Sequence, residues 1–252
     1  MTWQAGRLAF LLTVSLCVTS YGEKVHKHTE KDSSRGVEEQ FIDVRDASGT
    51  YVHHGPYTAF YIATKSKAAA GHYRYGVKHG KWESWYASGR IKQTCTYING
   101  MASGVQTDYY ENGKVQNRTG YEQGLPHGEF TQFYDDGRLR EHGTYVNGLP
   151  EGEWTIWYQN GKKQEEGAYR AGQRQGIWVT WFETGQKRDE TTYRDGLKEG
   201  TFTSWRPEGF RWTQGEYRSG HKEGTWTTWN QIGLIEKEEQ YSNDKLVESD
   251  NN

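Results

Sequence analysis

The sequence predicts an all-β fold, an elongated single-layer antiparallel meander of stacked β-hairpins. Tyrosine recurs every 24 residues from Tyr73 to Tyr241, and three sets of glycines keep the same spacing. Asn-Gly or Asp-Gly pairs lie between aromatic, threonine-rich runs, a combination typical of hairpin turns. Only 33% of the residues are hydrophobic whereas 15% are aromatic, which favours a thin sheet packed with rings over an aliphatic core. A fixed short period indicates a repeat protein.

Residues 1–22 have the pattern of an export signal. Arg7 precedes an apolar run from Leu8 to Val18, and small residues suited to cleavage follow. The run is shorter than the ~20 apolar residues of a transmembrane helix. A retained N-terminal anchor is one alternative, and lipid attachment at Cys17 is another that the bulky Leu16 disfavours. We therefore expect a secreted or periplasmic protein of the cell envelope that is not transmembrane after cleavage.

The rest of the chain divides by its periodicity. Residues 23–40 are charged and aperiodic, which predicts a flexible polar linker. Residues 41–241 form the predicted repeat array, with a degenerate first repeat at 41–72 and seven regular repeats at 73–240. Residues 242–252 are predicted to be a disordered tail. Outside the signal only Cys95 carries a thiol, so strand pairing and ring packing must replace disulfides.

The register of each hairpin follows from its turn. Positions are numbered here from the repeating tyrosine as position 0. A two-residue turn at positions 15 and 16 predicts that paired positions sum to 31, and side chains then alternate between two faces. One face is predicted to be structural, with a ring at position 9 opposite a small residue at position 22. These core rings are Trp82, Phe130, Trp154, Trp178, Phe202 and Trp226.

The other face is predicted to carry one ring per repeat at position 12, opposite a polar or basic residue at position 19, and to include the repeating tyrosine. Two interpretations stay open: a surface for a partner, or a second packing face with cation–π pairs such as Arg140 over Phe133 and Arg188 over Trp181. The candidate binding residues are the stripe rings Trp85, Tyr109, Phe133, Trp157, Trp181, Trp205 and Trp229, with the cations Lys92, Arg140 and Arg188.

The spacing Tyr-x-x-Gly-x-x-x-Gly-x-Trp-x-x-Trp-Tyr-x-x-Gly resembles the MORN repeat variant found in bacterial proteins, which are often catalogued as toxin–antitoxin-type antitoxins. The resemblance covers about residues 49–241. It implies stacked hairpins that serve as a scaffold or interaction surface, with protein and lipid partners both suggested and no catalysis. An export signal does not fit a cytoplasmic antitoxin.

No catalytic, cofactor or metal motif is recognisable. Ser84 and Ser204 have no histidine and acid at fixed spacing, and no glycine loop is followed by the Lys-Ser/Thr of a phosphate site. A net charge of -2 with both signs interleaved argues against nucleic acid. We predict a non-enzymatic scaffold that binds a protein or the envelope surface through the stripe rings. The alternatives are a glycan-binding envelope protein and an antitoxin-like or immunity-like inhibitor of a partner protein.

Overall fold

The computed structural model describes residues 26–251. The predicted export signal at residues 1–22 and Cys17 lie outside this range. Twenty β-strands account for the regular structure between residues 26 and 251, and no helix occurs there. Within that same range, therefore, no helix is long and apolar enough to cross a membrane.

The described residues divide into two compact units, one up to residue 125 and one from residue 126. In the first unit β2 pairs with β1, β3 and β4, and each strand from β4 to β8 pairs antiparallel with the next. The strands are β1 (His26–Asp32), β2 (Val37–Arg45), β3 (Tyr51–His53), β4 (Gly55–Tyr61), β5 (Lys67–Arg74), β6 (Val77–Trp85), β7 (Ile91–Ile98), β8 (Met101–Tyr109) and β9 (Val115–Glu122).

The second unit is a simple antiparallel meander in which each strand from β10 to β19 pairs with the next. The predicted fold, all-β and antiparallel with one hairpin per 24 residues, is confirmed within each unit. The strands are β10 (Leu125–Phe133), β11 (Leu139–Val146), β12 (Leu149–Trp157), β13 (Lys163–Arg170), β14 (Gln173–Trp181), β15 (Lys187–Arg194), β16 (Leu197–Trp205), β17 (Arg211–Arg218), β18 (His221–Trp229), β19 (Ile235–Ser242) and β20 (Lys245–Asn251).

Two segments predicted to lack structure form strands instead. β1 and the start of β2 lie in the predicted linker at 23–40, and β20 lies in the predicted tail at 242–252. In β2, Val37 and Phe41 are each 7% exposed, so these apolar residues find a packed site despite their charged neighbours. β20 is held by backbone pairing with β19. Pairing with an existing sheet edge thus orders chain that has little apolar surface of its own.

The turn inside each hairpin has three residues, not the predicted two. Gly161, at a φ of 85°, donates its N–H to the Tyr158 carbonyl at 2.9 Å, and the Tyr158 N–H donates to the Lys162 carbonyl at 2.8 Å. Asn160 has negative φ, and its side-chain oxygen accepts the Lys162 N–H at 2.9 Å. A type I turn followed by a left-handed glycine is the common three-residue hairpin loop.

The extra turn residue changes the register next to the turn. Trp154 pairs with Gly167, as predicted, but Trp157 pairs with Lys163 at position 18. The predicted pairing of positions 12 and 19 is therefore wrong, as is that of positions 13 and 18. The register recovers after a bulge on the returning strand between Lys163 and Glu165.

The two-residue turns lie between successive repeats. Asn147 and Gly148 have φ values of 49° and 84°, and the residues before and after them, Val146 and Leu149, are paired. Positive φ at both central residues defines the type I′ turn, whose twist matches that of the strands. The two-residue turn that was predicted for positions 15 and 16 thus occurs at positions 2 and 3, between successive repeats.

The repeating tyrosine lies on the face of the core rings. Tyr145 follows Gly143 by two residues in β11, and these two residues pair with Gly128 and Phe130 of β10, so simple alternation places the tyrosine on the side of Phe130. The prediction that the tyrosine shares a face with the stripe rings is therefore wrong. A separate bulge at Gly152, which has a φ of 72°, shifts the β11–β12 register from His142–Thr155 to Thr144–Glu151. Gly80 pairs with Tyr97, two positions that sum to 31 as the predicted register requires.

Candidate interaction surface

The core rings fill one face of the sheet. Trp154 and Trp178 are 5% and 3% exposed. Tyr145 and Tyr169 meet the Trp154 ring edge-on, with centroid distances of 5.2 and 5.7 Å. Edge-to-face packing at this distance adds to the free energy gained by burying the rings. These rings therefore form the core of the sheet, as the sequence predicts.

Each buried indole lies on a glycine of the preceding strand. A β-carbon added to Gly143 would lie 2.0 Å from the Trp154 ring, and one added to Gly167 would lie 2.2 Å from Trp178. Where the ring is the smaller Phe202, the residue across from it is Thr191. A larger ring thus faces a smaller neighbour and a smaller ring faces a larger one, as close packing requires.

Cations at position 5 cover the outer side of the core rings. The Arg174 guanidinium lies 4.0 Å from the Trp178 ring centroid, and the Lys222 ammonium lies 4.2 Å from that of Trp226. Lys78 makes the same contact with Trp82 at 4.4 Å, and burial lowers the pKa of its ammonium because the charged form loses water. These aromatic–cation contacts complete the core on that face.

The stripe rings project from the other face. Three residues separate Trp157 from the core ring Trp154 in β12, so the two side chains point to opposite sides. All seven predicted stripe rings are half-buried, whereas Trp154 is only 5% exposed. The face therefore presents rings that are partly covered and partly accessible.

The cations that cover the stripe rings differ from the predicted ones. Each comes from position 18 of the preceding repeat, because the three-residue turn displaces position 19. The nitrogen or guanidinium carbon lies 5.7 Å from the ring centroid for Lys67 over Trp85, 5.8 Å for Lys163 over Trp181, 5.6 Å for Lys187 over Trp205 and 5.1 Å for Arg211 over Trp229.

The predicted cations have other contacts. Lys92 lies over Tyr86 at 5.7 Å and Arg140 over Tyr134 at 5.8 Å. The Arg188 Nε donates to Asp189 at 2.8 Å rather than lying over Trp181. Sequence reasoning found the rings of this face and missed their basic neighbours.

Carboxylates hold the stripe lysines in place. Lys163 forms an ion pair with Glu166, and the Lys187 nitrogen lies 2.7 Å from a Glu190 oxygen. Each acid lies three residues after its lysine on β13 or β15, at position 21. The result is a repeated group of a ring, a cation and an acid.

Where position 13 is tyrosine, its hydroxyl joins one hairpin to the next. The hydroxyls of Tyr134 and Tyr158 donate to the carbonyls of Trp157 and Trp181, both at 2.7 Å. The Arg206 Nη2 makes the equivalent bond to the Trp229 carbonyl at 3.1 Å. The backbone beneath the stripe rings is thus fixed from the preceding repeat.

Replacing Tyr158 with phenylalanine is expected to lower the free energy of unfolding by about 1 kcal/mol, because the Trp181 carbonyl loses its donor. Urea denaturation followed by circular dichroism measures the change. Tyr193→Phe is the control, since it also deletes a half-buried hydroxyl but none that binds a carbonyl of the next hairpin. Equal losses in both variants would contradict the assigned role of the bond.

A polar cluster near the start of the first unit was not predicted. Asp43 accepts a hydrogen bond from His53 Nδ1 at 2.6 Å, and His28 Nε2 lies 3.5 Å from its other oxygen. The Phe41 ring lies between the two imidazoles, 5.3 Å from His28 and 4.2 Å from His53 by centroid. Over the described side chains, no three His, Cys, Asp or Glu residues are arranged to hold a metal ion.

These contacts define the class of protein: a β-hairpin repeat scaffold whose two faces both carry rows of rings. Five of its repeats match the MORN repeat variant, at residues 78–99, 102–123, 126–147, 150–171 and 174–195. Each match ends on the first residue of a two-residue turn, so the matches follow the 24-residue repeat of the structure in a constant phase. A comparison with curated proteins finds no match.

Proposed function

We propose that the chain is a non-catalytic scaffold that binds a protein partner through the stripe rings and the cations above them. One observation carries this proposal. Within single strands, Trp154 and Trp178 are 5% and 3% exposed, whereas Trp157 and Trp181 on the opposite face are only half-buried. Packing within the sheet therefore leaves the stripe rings partly accessible.

The chemistry of the stripe suits a protein surface. Aromatic rings and arginine are enriched where proteins meet, and buried aromatic anchors supply most of the binding energy. In β13 and β14, Lys163 lies over Trp181 and pairs with Glu166, so a partner would meet a ring flanked by both charges. The MORN repeat match supports a scaffold that binds protein or membrane. The export pattern at residues 1–22 favours a partner at the cell envelope.

Replacing both Trp157 and Trp181 with alanine is expected to weaken binding of the protein partner at least about tenfold, because each ring would be an anchor. The partner is first captured with the full chain from the envelope fraction of the source cells, identified by mass spectrometry and purified. Its dissociation constant is then measured with both forms.

A matched control replaces Leu149 and Leu197, which are 50% and 54% exposed beside the two-residue turns, with alanine. This variant is expected to bind like the unmodified chain. Should the Trp157 and Trp181 variant keep its affinity while its melting temperature falls, the stripe rings are a packing face and the proposal fails.

A further inference from the structure

One place in the second unit departs from the repeat at several positions together. Position 13 is tyrosine in Tyr134 and Tyr158 but Phe182 and Arg206 in the following repeats, and position 19 is Trp212. The departing side chains line a single cleft of about 390 Å³, together with Trp205, Arg188 and Asp189. Because the other repeats fold without these residues, the fold does not require them here.

Three rings give the cleft an apolar lining. Phe182 and Trp205 are half-buried, and Trp212 is 49% exposed. Glutamine occupies the position of Trp212 in two other repeats, at Gln116 and Gln164. The exposed half of the Trp212 indole offers apolar surface on which a ligand ring can pack. A cleft of this size takes a small ligand rather than a protein domain.

Arg206 supplies a positive charge with unused hydrogen-bonding capacity. Its Nη2 donates to the Trp229 carbonyl at 3.1 Å, and its guanidinium carbon lies 5.5 Å from the Trp212 ring centroid. Its Nε is covered by protein atoms, so a ligand acceptor reaches the guanidinium through Nη1, which makes no hydrogen bond within the described residues. With Arg188 and Asp189 alongside, the formal charge of the lining is +1 (two guanidinium groups and one carboxylate).

The cleft also lacks a donor that the neighbouring repeat has. Tyr158 donates its hydroxyl to the Trp181 carbonyl, whereas Phe182, its counterpart one repeat later, has no hydroxyl for the Trp205 carbonyl. A ligand hydroxyl at this place would supply the missing donor.

We propose that this cleft binds a sugar ring that carries a carboxylate, as in the uronic-acid residues of an acidic polysaccharide. The apolar face of the ring packs on Trp212, the carboxylate accepts from Arg206 Nη1, and a ring hydroxyl donates to the Trp205 carbonyl. Charge-assisted bonds between guanidinium and carboxylate are strong and directional. This binding activity goes beyond the protein partner of the stripe, although the cleft shares Trp205 and Arg188 with the stripe residues.

The test measures binding of three probes to the full chain by calorimetry and by the indole N–H signals in two-dimensional NMR. The probes are tri-galacturonate, the neutral galactose trimer with the same linkages, and benzoate. Trp212→Gln and Arg206→Tyr are the test variants, because each restores a residue that other repeats carry and should fold. Phe210→Gln is the control, since Phe210 is 51% exposed nearby and does not line the cleft.

Tri-galacturonate is expected to bind and to shift the indole signal that Trp212→Gln removes. The neutral trimer, and tri-galacturonate with either test variant, should bind at least about tenfold more weakly, as the loss of a charged hydrogen bond or a ring platform predicts. Phe210→Gln should leave the affinity unchanged. Equal affinity for both trimers, binding of benzoate alone, no binding of any probe, or full affinity in Trp212→Gln would each overturn the proposal. None of these results bears on the stripe, because Trp157 and Trp181 are untouched.

Discussion

Replacing Trp178 with alanine is expected to lower the free energy of unfolding by about 3–5 kcal/mol, the range for removing a large buried ring. The indole is 3% exposed, and its Nε1 donates to the Ala168 carbonyl at 3.1 Å. Tyr169 meets it edge-on at 4.9 Å and Arg174 covers it at 4.0 Å. The variant would therefore lose packing, a hydrogen bond and a cation–π contact together.

Chemical denaturation of the full chain, followed by circular dichroism and fluorescence, measures this effect. Trp181→Ala is the matched control from the same strand: its half-buried ring should cost only about 1–2 kcal/mol. If the two substitutions destabilise the protein equally, the division into a core face and an accessible face is incorrect.

Replacing Gly167 with threonine is expected to cost about 3 kcal/mol, at the upper end for an overpacked core. Gly167 is absent from the residues with positive φ, so its backbone accepts any side chain and threonine suits a strand. The penalty is steric, because the new β-carbon would lie 2.2 Å from the Trp178 ring. Ala168→Thr is the control, since other repeats carry Thr144 and Thr192 at that position.

A second substitution should relieve the collision. Thr191 lies across from the smaller Phe202 in the natural chain. Combining Gly167→Thr with Trp178→Phe reproduces that pair one repeat earlier. In a double-mutant cycle, the two changes together should cost at least about 1 kcal/mol less than the sum of the single changes. Strict additivity would show that the indole and the glycine are not in the contact described.

The period of the sequence made the hairpins and the core predictable. A ring at position 9 and a small residue at position 22 identify the Trp154–Gly167 pair correctly. The backbone conformation of the turns was harder to predict from the sequence. Whether the residue at position 15, such as Asn160, takes positive or negative φ decides between a two- and a three-residue turn, and repeats with Thr184 or Glu208 there form the same three-residue turn. The predicted pairing of the stripe rings was wrong because of the backbone conformation at this one position.

Two other features depend on contacts that the 24-residue period does not predict. The strand at His26–Asp32 forms because β2 offers it an edge to pair with, not because its own residues alternate. The cleft at Trp212 depends on where hairpin ends approach each other. Its residues were nevertheless readable as departures from the repeat, since Phe182, Arg206 and Trp212 each break a column. Residues that depart from the repeat thus identify a candidate site that the repeat itself does not predict.

The two kinds of turn give the hairpin ends unequal freedom to diversify. The Gly172 turn fits closely against its neighbour: a β-carbon there would lie 3.3 Å from the Leu149 side chain, and its N–H binds the Pro150 carbonyl at 2.9 Å. A β-carbon on Gly161 would meet nothing within 4 Å, and it is the Asn160 side chain, not the backbone, that binds the Glu183 carbonyl of the next turn at 2.8 Å. Inserted segments can therefore accumulate at the open ends, as they do in the binding loops of other scaffolds, while the closed ends preserve the spacing between hairpins.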